Sequence, residues 1–221
     1  MLKMLGGHSS YYALATKAGP LWCSELKVAF SPDHQSLFVA DVHLGKAQSF
    51  RKLGVPVPSG TTLGNLQRLT QAISRFSPRT IYFLGDLLHS RAAHNDVLLT
   101  ALRQWRLQHE SIRMVLIRGN HDDKAGDPPS DVAIEVVSEP HPLGDFALCH
   151  HGRSVSQRVC LSGHIHPVAV LKGKGRLRFR LPCFTHKDSQ IVLPAFGEFT
   201  GGYLCKAEDF EDILFVVKEN G

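Results

Sequence analysis

The chain has little cysteine and no long apolar run. Its five cysteines are scattered, odd in number and without a Cys-x-x-Cys pair, which argues against a disulfide framework or a thiolate zinc site. No stretch approaches the roughly 18 apolar residues of a membrane span, and residues 1–10 contain no apolar stretch long enough for a signal peptide. We therefore expect a soluble cytoplasmic protein that has no membrane partner.

The sequence also contains no internal repeat, no low-complexity segment and no linker rich in proline, glycine and serine. A chain of 221 residues with 43% hydrophobic residues can form one domain with a good core, so we predict a single domain over residues 1–221. The 25 basic and 20 acidic side chains give a formal charge of +5. This balance suits an anionic substrate without requiring one.

The first half of the chain alternates between strand and helix patterns. Apolar runs at 37–40, 81–84 and 114–117 predict buried strands. Between them, 63–76 and 97–105 carry apolar side chains at helical spacing. This order predicts a parallel or mixed sheet with covering helices, in which ligands bind at the carboxyl ends of the strands.

After about residue 130 the helical signal fades. Short apolar runs at 146–149, 191–193 and 213–217 predict strands. We therefore expect a second half that is mostly β.

Five short motifs place metal-type ligands at the ends of apolar runs. They are Asp41-Val42-His43, Gly85-Asp86-Leu87-Leu88-His89, Gly119-Asn120-His121-Asp122, Cys149-His150-His151-Gly152 and Gly163-His164-Ile165-His166. Each alone is a weak signal, because Asp, Asn and Gly are common in turns. Together they offer two carboxylates, an amide and several imidazoles, more than one metal ion needs. This stock of ligands is typical of a two-metal hydrolytic site, and such sites mostly act on phosphate esters.

The spacing inside the motifs indicates how the ligands could converge. Asp41 and His43 are two residues apart, so in an extended chain both side chains point to one side; His164 and His166 repeat this spacing. The carboxylate of Asp86 has two oxygens and can bridge two cations.

The third motif combines two functions. Asn120 supplies a neutral oxygen ligand, which leaves His121 free to donate a proton or to hold a phosphate oxygen. A shell of oxygen and imidazole ligands suits manganese, iron or zinc better than calcium or magnesium. We predict two divalent ions, with manganese first and iron or zinc as alternatives.

In this order, the motifs resemble those of the calcineurin-like metallophosphoesterases. The resemblance implies an α/β (α+β) fold, a four-layer αββα sandwich of two mixed sheets flanked by helices. The ligands it implies are Asp41, His43 and His166 for one ion, Asn120, His150 and His164 for the other, and Asp86 as the bridge. It further implies that His121 is the general acid or transition-state stabiliser, oriented by Asp122.

The fourth motif contains two candidate ligands. Many members of the superfamily have His-Gly here, which would select His151, whereas closer relatives place the ligand directly after the strand, which selects His150. Because adjacent strand residues face opposite ways, we expect a single ligand and predict His150.

Segments outside the five motifs resemble the ligase-associated DNA-damage-response metallophosphoesterases of bacteria. They are Ala40–Lys46, Phe50-Arg51, 54–58, 181–184, 193–197 and 199–202. The resemblance spans a motif-bearing core of about residues 20–205. It implies a DNA-repair setting beside a DNA ligase and a helicase, and it leaves open which phosphodiester is cut.

Other side chains are candidates for contacts with the substrate. His89 either touches the substrate from the rim of the site or caps a loop. Arg51 could bind a phosphate oxygen, and for Lys46 a solvated loop charge is the simpler interpretation.

A basic segment follows the last motif. Its cations alternate with other residues and are Lys172, Lys174, Arg176, Arg178 and Arg180. In a strand they would share one face, although glycines at 173 and 175 predict a turn that would direct the first two away. The segment is either a surface that tracks nucleic-acid phosphates or the wet face of an amphipathic strand. We predict that Arg176 and Arg178 contact the substrate. No aromatic residue lies on the basic face to stack on bases.

The predicted activity is binuclear-metal-dependent phosphodiester hydrolysis by attack of a metal-bridging hydroxide. The setting would be bacterial DNA repair, as an endonuclease or an enzyme that processes DNA ends. Two alternatives stand beside it: a phosphodiesterase for small substrates such as cyclic nucleotides, and a non-catalytic binding module that keeps the fold as a scaffold. The complete ligand set argues against the last.

Overall fold

The computed structural model of the protein describes residues 2–5, 11–52, 54–56, 60–173 and 175–216. Lys174 of the basic segment and Val217 of the last predicted strand lie outside these ranges. The described helices are α1 (Lys46–Lys52), α2 (Thr61–Phe76), α3 (Asp96–Gln108) and α4 (Asn120–Ala125), with 3-10 turns at Arg91–Ala93, Ser130–Val132 and Ala207–Asp209. None of these helices is long and apolar enough to cross a membrane.

Sixteen strands lie in the described ranges. In chain order they are β1 (Leu2–Leu5), β2 (Tyr11–Thr16), β3 (Gly19–Ser24), β4 (Val28–Ser31), β5 (Ser36–Val39), β6 (Thr80–Leu84), β7 (Arg113–Ile117), β8 (Glu135–Val137), β9 (His141–Leu143), β10 (Phe146–Leu148), β11 (Val159–Ser162), β12 (Pro167–Lys172), β13 (Arg178–Lys187), β14 (Gln190–Val192), β15 (Tyr203–Leu204) and β16 (Asp212–Val216).

The first sheet has the order β2-β3-β4-β5-β6-β7-β8. Its strands β2 to β5 are antiparallel, and β5 to β8 are parallel. The predicted strands at 37–40, 81–84 and 114–117 are β5, β6 and β7, and the two predicted helices are α2 and α3. The antiparallel strands β2 to β4 were not predicted.

The second sheet has the order β1-β16-β13-β14-β11-β10-β9, and β12 pairs with β13 and β15 beside it. The sheet is mixed, with parallel pairs such as β10 with β11 and antiparallel pairs such as β13 with β14. The mostly β second half is thus confirmed, and the two mixed sheets flanked by helices confirm the predicted fold class.

Three apolar clusters show how the layers stack. The first joins α2 and α3 to one face of the first sheet, through residues such as Leu69, Leu102 and Phe83. The second fills the space between the sheets, where Phe38 of β5 and Phe184 of β13 both lie. The third is small and covers part of the outer face of the second sheet. All four described α-helices precede residue 126.

Helices α2 and α3 are fixed to each other as well as to the sheet. The Trp105 indole of α3 donates a hydrogen bond to Thr70 Oγ1 of α2 at 3.1 Å. The N-terminus of α3 is capped by Asn95, whose Oδ1 accepts from the Leu98 amide at 3.1 Å. These helices brace the sheet from the side opposite to the second sheet.

The motifs follow five strands whose carboxyl ends meet at one edge of the two sheets. Strands β5, β6 and β7 of the first sheet precede the first three motifs, and β10 and β11 of the second sheet precede the last two. Each of these two sets of strands is parallel. Ligands from distant parts of the sequence therefore collect at this edge, as in other open sheets.

Candidate metal centre

Five of the predicted ligands have left-handed backbone. The φ angles are 54° at Asp41, 48° at His43, 54° at Asp86, 70° at His164 and 50° at His166. The prediction that Asp41 and His43, and likewise His164 and His166, converge through extended chain is therefore wrong. Their convergence comes from sharp kinks after each strand, and such strained residues cluster at functional sites.

Hydrogen bonds between the loops hold these kinks. The backbone amide of His43 donates to the carbonyl of Asp86 at 2.9 Å, and that of Asp41 donates to the carbonyl of Gly85 at 3.2 Å. The side chains take part too: the amide of His164 donates to Asp41 Oδ2 at 2.9 Å. The loops thus position the carboxylates before any ligand binds.

Asp41, His43 and His166 form one group of donor atoms. His166 Nε2 lies 3.4 Å from Asp41 Oδ1 and 3.4 Å from His43 Nε2. The donor atoms of the three side chains all lie within 4.8 Å of one another. These are the three residues predicted to hold one ion.

Asn120, His150 and His164 form a second group. His150 Nε2 lies 2.9 Å from Asn120 Oδ1 and 3.1 Å from His164 Nδ1. These are the residues predicted to hold the other ion. The structure therefore brings both predicted sets together, each around one point.

Asp86 lies between the two groups. Its Oδ2 is 3.7 Å from His43 Nε2, and its Oδ1 is 3.5 Å from His150 Nε2. Oδ1 also accepts a hydrogen bond from the backbone amide of His121 at 2.9 Å. A carboxylate with one oxygen toward each group is placed as a bridging ligand would be.

The donor set fits divalent cations. His150 Nδ1 and His166 Nδ1 lie 3.0 and 2.9 Å from backbone carbonyl oxygens. A carbonyl only accepts, so each Nδ1 carries a hydrogen, and in the neutral form of the ring the lone pair of Nε2 faces the site. Asp41 Oδ1, which lies 3.4 Å from His166 Nε2, is buried and has no hydrogen-bond donor among the described residues. Lone pairs gathered this closely are stabilised by positive charge between them.

His150 and His151 have different surroundings. The His150 side chain is fully buried and its Nε2 faces the second group. The His151 ring lies beside those of His150 and His164, and the three could share an ion, but His151 Nδ1 is 2.9 Å from Glu139 Oε1 and the side chain is more exposed. Glu139 also accepts the backbone amides of both histidines through Oε2. The geometry therefore favours His150 as the ligand, and Glu139 fixes this loop.

His89 and His121 line the rim beside His43. His121 Nδ1 lies 2.8 Å from the carbonyl oxygen of His89, and the two rings stack with centroids 4.9 Å apart. His89 Nδ1 lies 3.3 Å from His43 Nδ1. His89 thus sits at the site, where it orients His121.

Asp122 has another partner than the one predicted. Its two carboxylate oxygens accept the backbone amides of Asp86, Leu88 and Gly119 at 2.7, 3.2 and 3.0 Å. The prediction that Asp122 orients the His121 ring is therefore wrong. Asp122 instead ties the second motif to the third. Burial raises its pKa to about 6, although the hydrogen bonds from Gly119 and Leu88 lower it.

Glycines allow the loops to approach this closely. A Cβ on Gly85, whose φ is 81°, would overlap the His150 ring, and a Cβ on Gly163 would overlap the Asp41 carboxylate. The lack of a side chain at Gly85 and Gly163 therefore permits the close packing of these loops.

Electrostatics keep the buried His43 neutral. Burial and the nearby charge of Lys46 lower its pKa to about 2. Burial also lowers the pKa of His166, but the neighbouring Asp41 carboxylate outweighs this effect and the net shift is upward. A neutral imidazole is the form that binds a metal ion.

Lys46 lies closer to the centre than the sequence indicated. It belongs to α1 rather than to a loop, and its pKa is lowered by burial while the charges of Asp41 and Asp86 act against this. Arg51 lies on the exposed side of the same helix and lines a surface groove with Asn95 and Gln104. Within the described residues, that groove contains none of the predicted ligands.

The basic segment forms a hairpin. Lys172 on β12 pairs with Arg178 on β13, and Arg176 lies in the turn between the strands. A rise of about 3.3 Å per residue puts the Lys172–Arg178 pair at most about 20 Å from His166. Arg176 and Arg178 lie at the end of the hairpin that is farther from the last motif. Phe179 is 48% exposed, so the alternating apolar residues at the hairpin tip are not buried.

Two contacts that hold the predicted ligands in place were not predicted from the sequence. Glu139 lies 11 residues before His150, and Thr200 holds His166 through a backbone carbonyl. A carbonyl leaves no signal in the sequence, and a lone glutamate before a predicted strand leaves a weak one.

Comparisons with known proteins agree with this geometry. The family model described as calcineurin-like phosphoesterase matches residues 35–192. The crystal structure of the nuclease MPE of Pseudomonas putida is 41% identical in sequence, with a TM-score of 0.79 over 89% of this chain and 92% of that one. Yfce, a phosphoesterase from E. coli, is 15% identical with a TM-score of 0.41, over 76% of this chain and 83% of that one. Among curated proteins none matches the chain.

The family match covers most of the chain. It includes all five motifs, which lie between residues 41 and 166. The clustered histidines and carboxylates are the ligands that such a family uses for divalent metals. The chain therefore belongs to the calcineurin-like phosphoesterases and is a hydrolase of phosphoester bonds.

Proposed function

We propose that the protein is a two-metal phosphodiesterase that cleaves DNA, as an endonuclease or by processing DNA ends. The observation that carries this proposal is the 41% identity over 89% of the chain to a nuclease. The two groups of donor atoms joined by Asp86 support it, because two-metal sites suit phosphodiester hydrolysis.

The proposed ligands follow the two groups. They are Asp41, His43 and His166 for one ion, Asn120, His150 and His164 for the other, and Asp86 for both. Divalent ions bound there would neutralise phosphate charge and lower the pKa of a water molecule. Manganese is the first choice and iron or zinc the alternatives, since oxygen and imidazole ligands suit all three.

His121 is the proposed proton donor or stabiliser of the leaving oxygen. Its Nδ1 hydrogen bonds to the His89 carbonyl, so any proton passed to the substrate comes from Nε2. His121 is only half-buried and lies beside His43. Its accessible ring nitrogen is thus within reach of a phosphate held by the metal centre.

The proposed biological setting is bacterial DNA repair beside a DNA ligase and a helicase. Support for this finer assignment comes from sequence resemblance in the segments outside the five motifs. Among them is Phe196, whose ring stacks under the guanidinium of Arg68 at 4.2 Å.

The test is hydrolysis by the manganese-loaded protein of an aryl phosphodiester, the matching monoester and supercoiled plasmid. We expect diester cleavage and plasmid nicking, both lost in Asp86→Asn while the circular dichroism spectrum stays unchanged. Diester cleavage without nicking would indicate a small-molecule phosphodiesterase instead. No hydrolysis with manganese, iron or zinc would contradict the proposal and favour a non-catalytic module.

The hairpin contributes to DNA binding in this proposal. Arg178→Gln should weaken binding of a DNA duplex and reduce the slope of log affinity against log salt by about 1, because one phosphate contact is lost. Fluorescence anisotropy in a salt series measures this. Arg103→Gln on α3, whose guanidinium pairs with Asp131, is the control and should leave the slope unchanged; equal slopes for all three proteins would remove the hairpin from the interface.

A further inference from the structure

A pocket opens on the outer face of the second sheet, next to the metal centre. Its volume is about 340 Å³, at the small end of the range of roughly 300–1,000 Å³ for ligand pockets. Nothing in the proposed mechanism uses it. The side chains that line the pocket include those of His164, Ile165, Thr185, Gln190, Val192 and Phe210.

Strand register explains why this face is open. Thr185 on β13 pairs with Val192 on β14, so their side chains share one face of the sheet. The alternate residues Phe184 and Ile191 point into the core between the sheets. The small third cluster covers only the neighbouring part of the outer face, and the pocket lies beside it.

The pocket contains a buried hydroxyl without a partner. The Thr185 side chain is 1% exposed, and Oγ1 has no hydrogen-bond partner within the described part of the chain. The side-chain amide of Gln190 lines the same pocket. Buried polar groups are normally paired, so a ligand that donates to or accepts from Thr185 would complete this site.

Apart from His151 and Lys187, the other side chains that line the pocket are apolar. Ile165, which is 37% exposed, lies with Val192 and Phe210 around the pocket. A ligand that fits has flat apolar faces together with a hydrogen-bonding edge. A nucleobase has both, and base faces pack well on apolar and aromatic side chains.

The position of His164 connects this pocket to the metal centre. Its ring lines the pocket, while its Nδ1 lies 3.1 Å from His150 Nε2 in the second donor group. We propose that the pocket binds the base of the nucleotide whose phosphate is held at the metal centre. This inference rests on the proposed function and names a subsite of it, with Thr185 as a specificity-determining residue.

The test compares substrates with and without a base. The manganese-loaded protein is assayed with the p-nitrophenyl esters of thymidine 5′-phosphate and thymidine 3′-phosphate, and with methyl p-nitrophenyl phosphate. We expect a lower KM for at least one thymidine ester than for the methyl ester. Thr185→Val should raise that KM by about 3- to 10-fold, as for one lost hydrogen bond, and leave the methyl ester unaffected.

Thr185→Val should preserve the fold, because valine has nearly the same shape and Thr185 Oγ1 makes no hydrogen bond with the described residues. Its melting temperature should equal or exceed that of the wild type. Thr100→Val, on the exposed side of α3, is the matched control and should change no kinetic constant. Val192→Phe, which fills the pocket, should raise the KM of the same thymidine ester.

Equal KM values for the thymidine and methyl esters in the wild type, or equal effects of Thr185→Val on both, would overturn the pocket assignment. If the wild type hydrolyses none of these esters, the proposed function fails instead. In that case, titration calorimetry with thymidine 5′-monophosphate tests the pocket assignment independently of hydrolysis. Binding that Thr185→Val weakens supports the assignment, and the absence of binding rejects it.

Discussion

Asp122 shows how one buried side chain can order a site without touching the substrate. Its two oxygens accept three backbone amides, from Asp86, Leu88 and Gly119. These amides belong to the second and third motifs, which follow different strands. Asp122 therefore fixes the distance between the carboxylate of Asp86, the proposed bridge, and the loop that carries Asn120.

We expect Asp122→Asn to destabilise the protein by about 1–3 kcal/mol, because an amide has one acceptor oxygen and leaves a buried backbone N–H unpaired. Urea unfolding of the metal-free protein measures this. The control is Asp123→Asn, since that side chain is exposed and makes only a 3.8 Å contact with Arg118. Equal unfolding free energies for the two variants would contradict the positioning role of Asp122.

The sequence predicted which residues come together at the candidate site, but it did not predict their backbone conformation. The order of the five motifs selected Asp41, His43 and Asp86 because metal chemistry restricts which side chains can serve. The left-handed backbone at these residues has no such signature, since Asp and His are not glycine. The partner of Asp122 was also missed, because hydrogen bonds to backbone amides depend on how distant loops meet.

At the scale of the elements, the histidine at the C-terminal end of α3 affects stability through its neutral form. His109 follows the helix, and its Nε2 lies 3.0 Å from Thr70 Oγ1 on α2. Burial and the charge of Arg106 lower its pKa below the ordinary value of 6.5. The unfolded chain therefore binds a proton below about pH 6.5 that the folded protein resists, so stability present above this pH is lost as the pH falls.

The difference in melting temperature between about pH 7.5 and about pH 5.5 should be smaller in His109→Gln than in the wild type, because glutamine does not titrate. His94→Gln, an exposed histidine, should behave as the wild type. If His109→Gln keeps the full pH dependence of the wild-type melting temperature, the titration of His109 does not contribute to that dependence.

Apolar runs predicted the central elements and failed at the margins. Strands β5, β6 and β7 are buried on both faces, so each reads as a continuous apolar run. Strand β2 is only partly buried, with the pattern of a half-exposed antiparallel edge. Its mixed composition hides it in the sequence. The basic hairpin was half predicted, since its glycines indicated the turn but not the exposure of Phe179.

At the scale of the whole molecule, the centre exists only when the two sheets are packed together. His43 follows the first sheet and His166 the second, 123 residues apart, yet their Nε2 atoms are 3.4 Å apart. The large apolar cluster between the sheets holds this arrangement. Metal binding and folding are therefore coupled, and ions that bind only the folded chain add to its stability.

The central claim is that the two groups of donor atoms each hold one divalent ion. The most direct measurement is the metal content of manganese-loaded, desalted protein by mass spectrometry, with titration calorimetry of the metal-free protein. We expect two ions per wild-type chain and one in His164→Ala, which loses a ligand of the second group only. One ion or none in the folded wild type would contradict the account.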